Sequence, residues 1–234
     1  MDAIVLEGVW KYFGDYPAIR NVSFRLAKSQ CLALIGRNGA GKTTLLRMLG
    51  GFSRPAQGQV TISGGSPRDT ATRRSIGIIG HGISVYDELG AMENLRLYAR
   101  MYDVPNTEKR ASELLDRVGL GRVKDGLVRE FSRGMRQRLA IARAFIHEPS
   151  VLLLDEPFTS LDDRAIAVLQ SLLAEAAQRG ASIVMSTHQL REAMELATQV
   201  VLLERGQLVF DGPRTEEMIS DPGWVYSHYG DKGV

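Results

Sequence analysis

Cysteine is almost missing from this chain: Cys31 is the single one among 234 residues, so no disulfide can form within it. No apolar run approaches the roughly 20 residues that span a bilayer, and the N-terminus lacks the basic and apolar regions of a secretion signal. The sequence is therefore expected to be soluble and cytosolic, reaching a membrane only by docking to something else. A surplus of one charge sign is missing too, since 29 Lys and Arg face 27 Asp and Glu. That balance leaves no basic footprint for nucleic acid at the whole-chain level. Repeats, low-complexity tracts, zinc-type cysteine clusters and long heptads are also absent. What remains is 44% hydrophobic composition in 234 residues, enough for a core in one large or two small domains.

Residues 36–43 read Gly-Arg-Asn-Gly-Ala-Gly-Lys-Thr, the spacing G-x-x-x-x-G-K-[ST]. The apolar run Cys31–Ile35 precedes it and Thr44–Leu49 follows, so a buried strand, a glycine turn and a helix are expected in that order. Gly36, Gly39 and Gly41 let successive backbone N–H groups converge on one anion at a helix N-terminus. Lys42 supplies a cation for the β- and γ-phosphates, and the Thr43 hydroxyl suits Mg²⁺; Asn38 and Thr44 belong to the same cradle. A chance glycine-rich turn is the bland alternative, and the flanks argue against it. Binding of a nucleoside triphosphate follows.

The rest of the chain supports an α/β reading. Ile4–Trp10 and Ile19–Leu26 read as strands of a small antiparallel unit with Gly14-Asp15 as the turn, joined by Gln57–Ser63. After Ile76–Ile79 the period becomes helical, with Met92, Leu95 and Tyr98, then Leu114, Leu115 and Val118, separated by the break at 105–107. From Val151 onward strands and helices alternate, the pattern of a parallel sheet. The helical stretch from about Tyr86 to Glu148 is then an insertion within one nucleotide-binding core. Val151–Asp155 is a buried strand ending in two carboxylates, Asp155 and Glu156. Asp155 suits the shell of Mg²⁺, and Glu156 could orient or deprotonate an attacking water. Alone, such a strand end would more often be a surface turn.

Phe131–Arg138 opens a helix that stops before Pro149, with Ser132 as its natural N-cap. Here the chain resembles the ATP-binding cassette (ABC) family, whose signature is L-S-G-G-Q before a basic, small-residue helix. Ser132 and Gly134 match that signature, whereas Arg133 and Met135 replace a glycine and the glutamine. The resemblance implies that Ser132 and Gly134 complete the nucleotide site of a second subunit. It also implies that Asp162, in Thr159–Asp162, works across the dimer, and that His188, closing Ser186-Thr187-His188, contacts the γ-phosphate. Phe13 stands where the family stacks an aromatic on adenine, with Tyr12 as rival and burial in the core as the bland alternative. His81 falls where the family carries a glutamine that touches the metal and moves with the transport subunit; a water could make that contact instead, or His81 could be an ordinary loop residue.

The resemblance covers essentially the whole chain and implies a single ABC ATPase domain, residues 1–234: a P-loop α/β core with an antiparallel β subdomain and an inserted helical subdomain. It implies ATP hydrolysis with Mg²⁺, two copies paired head to tail, an integral membrane permease as partner, no nucleic acid, and a peripheral place on the cytoplasmic face of the inner membrane. The segment Gly80–Leu95, with Ser132–Met135, is similar to the ATPase subunits of the haem exporter used in cytochrome c maturation, so haem is the expected cargo. Exporters of lipids, lipoproteins or drugs share the same core, and a soluble cassette ATPase acting on nucleic acid or ribosomes is the remaining alternative. Trp224, Tyr226 and Tyr229 are expected to form a tail packed on the body, or a contact to a partner.

Overall fold

The computed structural model describes residues 1–80 and 84–230; His81 and Gly82 lie outside that range. In chain order the elements are β1 (Asp2–Phe13), β2 (Tyr16–Ala27), β3 (Cys31–Ile35), α1 (Lys42–Leu49), β4 (Gln57–Ile62), α2 (Thr70–Arg74) and β5 (Ile76–Ile79). There follow α3 (Ala91–Met101), α4 (Thr107–Arg117), α5 (Arg133–Phe145), β6 (Val151–Asp155), α6 (Asp163–Gln178), β7 (Ser182–Ser186) and α7 (Leu190–Leu196). The chain closes with β8 (Gln199–Glu204), β9 (Gln207–Pro213), α8 (Glu216–Ser220) and α9 (Trp224–Tyr229).

Two sheets carry the core. One is antiparallel, in the order β2-β1-β4. The other runs β5-β6-β7-β3-β8-β9, parallel except for β9 at its edge. Every residue of β3, β6 and β7 is buried, as expected for parallel strands covered on both faces. Their side chains divide with period two. Cys31, Ala33 and Ile35 join the apolar cluster shared with the helices, while Leu32 and Leu34 join the one shared with the antiparallel sheet and α1. Burial pushes the Cys31 thiol up to about 12, so it packs as a small hydrophobe and stays protonated.

Between β5 and β6 lie α3, α4 and α5, the helical unit expected from the change of period. Asn94 is fully buried and knits the entry to α3: its amide donates to the carbonyls of Tyr86 and Gly90, both at 3.0 Å, and its oxygen accepts from Tyr86 N–H at 2.8 Å. Arg117 of α4 is paired with Glu175 of α6, tying the helical unit to the sheet's flank. Three short helices, α2, α8 and α9, were not anticipated, because five or six residues are too few to display a 3.6-residue period. No helix among the described residues is long and apolar enough to cross a membrane.

Candidate functional site

The loop of residues 36–41 leaves the C-terminal end of β3 and feeds α1, the edge at which open α/β sheets present their ligand crevice. Two of its glycines are required by their surroundings. A Cβ at Gly36 would sit 2.5 Å from the Leu203 carbonyl oxygen. One at Gly41, where φ is 107°, would sit 2.6 Å from Ile19 Cδ1 and 2.9 Å from the Ala18 carbonyl oxygen. Gly39 differs from both. It borders the open cleft, a Cβ there would meet nothing within 4 Å, and only its backbone, at φ 80°, disfavours a side chain. The three glycines expected to act alike thus serve two ends: Gly36 and Gly41 let the loop fit against its own protein, whereas Gly39 shapes the turn on the ligand side. The far wall is the β8–β9 turn, whose Gly206 N–H donates to the Ala40 carbonyl at 3.0 Å. The loop is wedged between β2 and β8, and its curvature is imposed from both sides.

Lys42, the first residue of α1, is only 7% exposed. Its Nζ donates to the Gly36 carbonyl at 2.7 Å and to that of Arg37 at 3.4 Å. Burial lowers its pKa, and the negative charges of Glu156 and Asp155 oppose that shift. A cation held over a ring of loop carbonyls, with two carboxylates nearby, is placed to exchange those carbonyls for phosphate oxygens.

The carboxylates come from the end of β6. Asp155 is buried and accepts a hydrogen bond from the Ser186 hydroxyl on the neighbouring strand β7, its register partner. At Glu156 the chain turns into the left-handed region, φ 53°, with its N–H donating to the Ser186 carbonyl at 2.9 Å. That turn swings the side chain toward the loop after β7, where Glu156 Oε2 meets His188 Nδ1 at 2.7 Å and accepts from His188 N–H at 3.2 Å. The glutamate is mostly buried and the imidazole mostly exposed. Two side chains picked out on separate strands therefore touch.

An open cleft of about 530 Å³ joins these parts, lined by Asn38–Thr44, Glu156, Ala18, Phe13 and Tyr16. Phe13 is 58% exposed, which removes it from the core. Tyr12 is turned away and stacks on Trp10, ring centroids 5.9 Å apart and planes within 7°. Tyr16 was missed by sequence reasoning. It faces Phe13 across the β1–β2 hairpin, so the cleft has two aromatic residues where one was expected. The signal was available in principle, as the two positions flank the Gly14-Asp15 turn. A second cavity, about 280 Å³, shares Thr43 and Asp155 with the site and runs past Arg47 and Phe52 to Gly80. His81 itself lies outside the described residues.

Ser132, Gly134 and Asp162 are not brought into the cleft. Ser132 caps α5, its hydroxyl accepting from Met135 N–H at 3.2 Å, and it is exposed. Asp162 caps α6, accepting from Ala165 N–H at 2.8 Å. A Cβ on Gly134 would come within 3.3 Å of the Ser160 carbonyl oxygen, so the start of α5 and the segment before α6 lie side by side. Gln137 is buried and donates to the Pro157 carbonyl at 3.4 Å, linking α5 to the turn that holds Glu156.

A glycine nest at a helix start, a buried lysine and a strand ending in two carboxylates define a P-loop nucleotide-binding protein. The model of the ABC transporter family matches residues 19–159, and the chain belongs to that family. Similar proteins include the daunorubicin resistance ATP-binding protein of Streptomyces coeruleorubidus, 36% identical over 92% of this chain and 69% of that protein. The Nod factor export ATP-binding protein I of Cupriavidus metallidurans is 33% identical over 99% of this chain and 78% of its own. The ABC transporter ATP-binding protein NatA of Bacillus subtilis is 34% identical over 83% and 81%. Among solved structures, the ATP-binding subunit of an ABC transporter superposes with a TM-score of 0.86 at 30% identity, over 99% of this chain and 95% of the other. A dimeric post-hydrolysis state of an ATP-binding cassette bound to ADP and Pi superposes with a TM-score of 0.79 at 26% identity, over 91% and 99%.

The chain is thus an ATP-binding, ATP-hydrolysing cassette of an ABC transporter. The expected kinship with haem exporters is not supported. Two of the relatives above are named for daunorubicin resistance and Nod factor export, and none of the three for haem export. That expectation rested on a short stretch around residues 80–95, beside a core that many exporters share.

Proposed function

We propose that this chain is the motor subunit of an exporter for a drug-like, lipid or lipoprotein cargo rather than haem. It works as a head-to-tail pair on the cytoplasmic face of the membrane, attached to a separate permease. The observation that carries the reading is the contact of Glu156 with His188 at the mouth of the cleft formed by the phosphate loop. A carboxylate and an imidazole held together beside that cleft support a role for both at the terminal phosphate.

In this reading the nest and Lys42 bind the triphosphate, while Phe13 and Tyr16 hold the base by stacking. Thr43 and Asp155 are a hydroxyl and a carboxylate facing a common cavity, oxygen donors of the kind Mg²⁺ takes together with substrate phosphates. They would hold the ion, which supplies charge neutralisation at the phosphates. Glu156 receives a proton from, or aligns, the attacking water, and His188 holds Glu156 in place while presenting its ring to the γ-phosphate. The start of α5 faces outward with Ser132 and Gly134 free of the cleft, so it caps the triphosphate of a second copy. Asp162 lies in that same interface.

The permease is proposed to dock at the cavity that runs from Thr43 past Phe52 to Gly80, between α1 and the strands β5 and β6. Velocity sedimentation of Glu156→Gln with and without Mg-ATP tests the pairing. A nucleotide-dependent dimer is expected, and a strict monomer at saturating Mg-ATP would overturn it. Co-purification with the neighbouring membrane protein, and that protein's cargo, tests the rest.

A further inference from the structure

Strand β7 lies between β6 and β3 in the parallel sheet, so its C-terminal end separates the two carboxylates from the start of the phosphate loop. Ser186 is the last residue of β7 and is fully buried, with Asp155 opposite it on one side and Leu34 on the other. Its predecessors Ile183, Val184 and Met185 are apolar and buried. A hydroxyl in such a place is costly unless it is hydrogen-bonded, and an alanine would avoid that cost.

Ser186 spends its hydroxyl and its carbonyl on the two acids. The hydroxyl donates to Asp155 Oδ1 at 2.5 Å, and the carbonyl accepts from the Glu156 N–H at 2.9 Å. The first is a bond to a carboxylate, the short and charge-assisted kind. It engages Oδ1, while the carboxylate as a whole lines the cavity shared with Thr43. The second fixes the residue at which the chain enters left-handed backbone, φ 53°. Thr187, next in the chain, is fully buried, and its hydroxyl accepts from the Gln189 N–H at 2.9 Å, closing the turn that carries His188. One serine therefore touches the side chain assigned to Mg²⁺ and the backbone of the residue assigned to water, while lining neither cavity itself.

We propose that Ser186 is a positioning residue for the metal: its hydroxyl ties Asp155 Oδ1 to the sheet and so leaves the other oxygen, Oδ2, to take the cation. This rests on Asp155 being the Mg²⁺ ligand proposed above. The terminal torsion of an aspartate is broad, so nothing in the side chain alone decides which oxygen faces the ion. A hydrogen bond to one oxygen decides it, as partners one step behind metal ligands commonly do. The effect belongs in the affinity for the metal rather than in the grip of the nest and Lys42 on the nucleotide.

Ser186→Ala removes the hydroxyl and keeps the carbonyl that holds Glu156. Mn²⁺ is titrated into the full-length chain, present in excess over a non-hydrolysable ATP analogue, and followed by electron paramagnetic resonance. The variant should bind Mn²⁺ roughly 10- to 100-fold more weakly than the parent. Its affinity for the analogue without metal should stay at the parent value, and hydrolysis should need correspondingly more Mg²⁺ to reach half its maximal rate. Ser186→Cys fills similar space with a weaker donor and should fall between the two. Parent-like Mn²⁺ affinity in Ser186→Ala, or in Ser186→Cys if the alanine variant does not fold, would overturn the proposal and leave the serine as a satisfied core hydroxyl. Asp155→Asn separates the two levels. Weakened Mn²⁺ binding there beside parent-like binding in Ser186→Ala would sink the brace alone. Parent-like binding in Asp155→Asn would remove Asp155 from the metal, and the proposal with it.

Discussion

The two ends of the nucleotide machinery are built in opposite ways. At the phosphate-loop end everything is braced from within: Lys42 is buried, Gly36 and Gly41 have no space for a side chain, and Gly206 pins Ala40. At the signature end Ser132 is exposed, its hydroxyl bonded only to its own helix, and the first turn of α5 carries no acidic residue. One end is complete as folded. The other presents a helix start, with its partial positive charge, to whatever approaches. A chain with one finished half and one displayed half is suited to meeting a copy of itself in reverse order, each lending what the other lacks.

That contrast can be broken most forcefully at Glu156. Glu156→Gln should keep Mg-ATP binding, because nest and lysine are intact, while steady-state turnover falls by about 10²- to 10⁴-fold. Hydrolysis at the parent rate would remove the carboxylate from its assigned role. Next in size is Lys42→Ala, an injury to the self-sufficient end. It should weaken Mg-ATP binding by roughly 10- to 100-fold in a direct titration of the single chain. Equal affinity would mean that the buried cation serves only the loop's own carbonyls.

Ser132→Ala injures the displayed end and should produce the reverse profile. Affinity of the single chain for ATP stays, nucleotide-dependent dimerisation weakens, and loss of the cap costs about 1 kcal/mol of stability in chemical denaturation. If ATP affinity of the monomer fell as well, the two ends would not be separable. The smallest expected effect lies just beyond the far end of the same helix, at His147. Burial lowers its pKa from 6.5 to about 4, only partly offset by its hydrogen bond to the Ile76 carbonyl. The folded state thus favours the neutral ring. Its contribution is complete above pH 6.5 and is lost as pH falls from there toward about 4. His147→Gln should flatten melting temperature against pH in that window only.

How much of this was legible beforehand differs by element. The phosphate loop and the carboxylates after β6 were readable because glycine, lysine and strand-end acids at fixed spacing answer to local backbone geometry. The spacing did not say that Gly39 stands apart from Gly36 and Gly41, because the crowding at those two comes from β2 and β8, distant in the chain. The Glu156–His188 contact was legible as two candidates but not as a pair, since it depends on β6 and β7 being neighbours in register. Tyr16 escaped because its place in the cleft is set by the β1–β2 hairpin. Short helices and long-range contacts leave no periodic trace in a sequence. The haem expectation found no support for another reason: it rested on a short stretch around residues 80–95, beside a core shared with relatives of other names.

The left-handed backbone at Glu156 has a consequence of its own. Glutamate is an uncomfortable residue at φ 53°, and the proline that follows narrows its choices further. Glycine or asparagine would occupy that conformation with less strain, by about 1 kcal/mol for glycine. Under a laboratory selection for thermal endurance alone, position 156 is therefore expected to drift toward those two residues, and the chain to become sturdier as it ceases to turn over ATP. Under selection for ATP turnover, the role proposed for Glu156 would restore the strained glutamate at every generation.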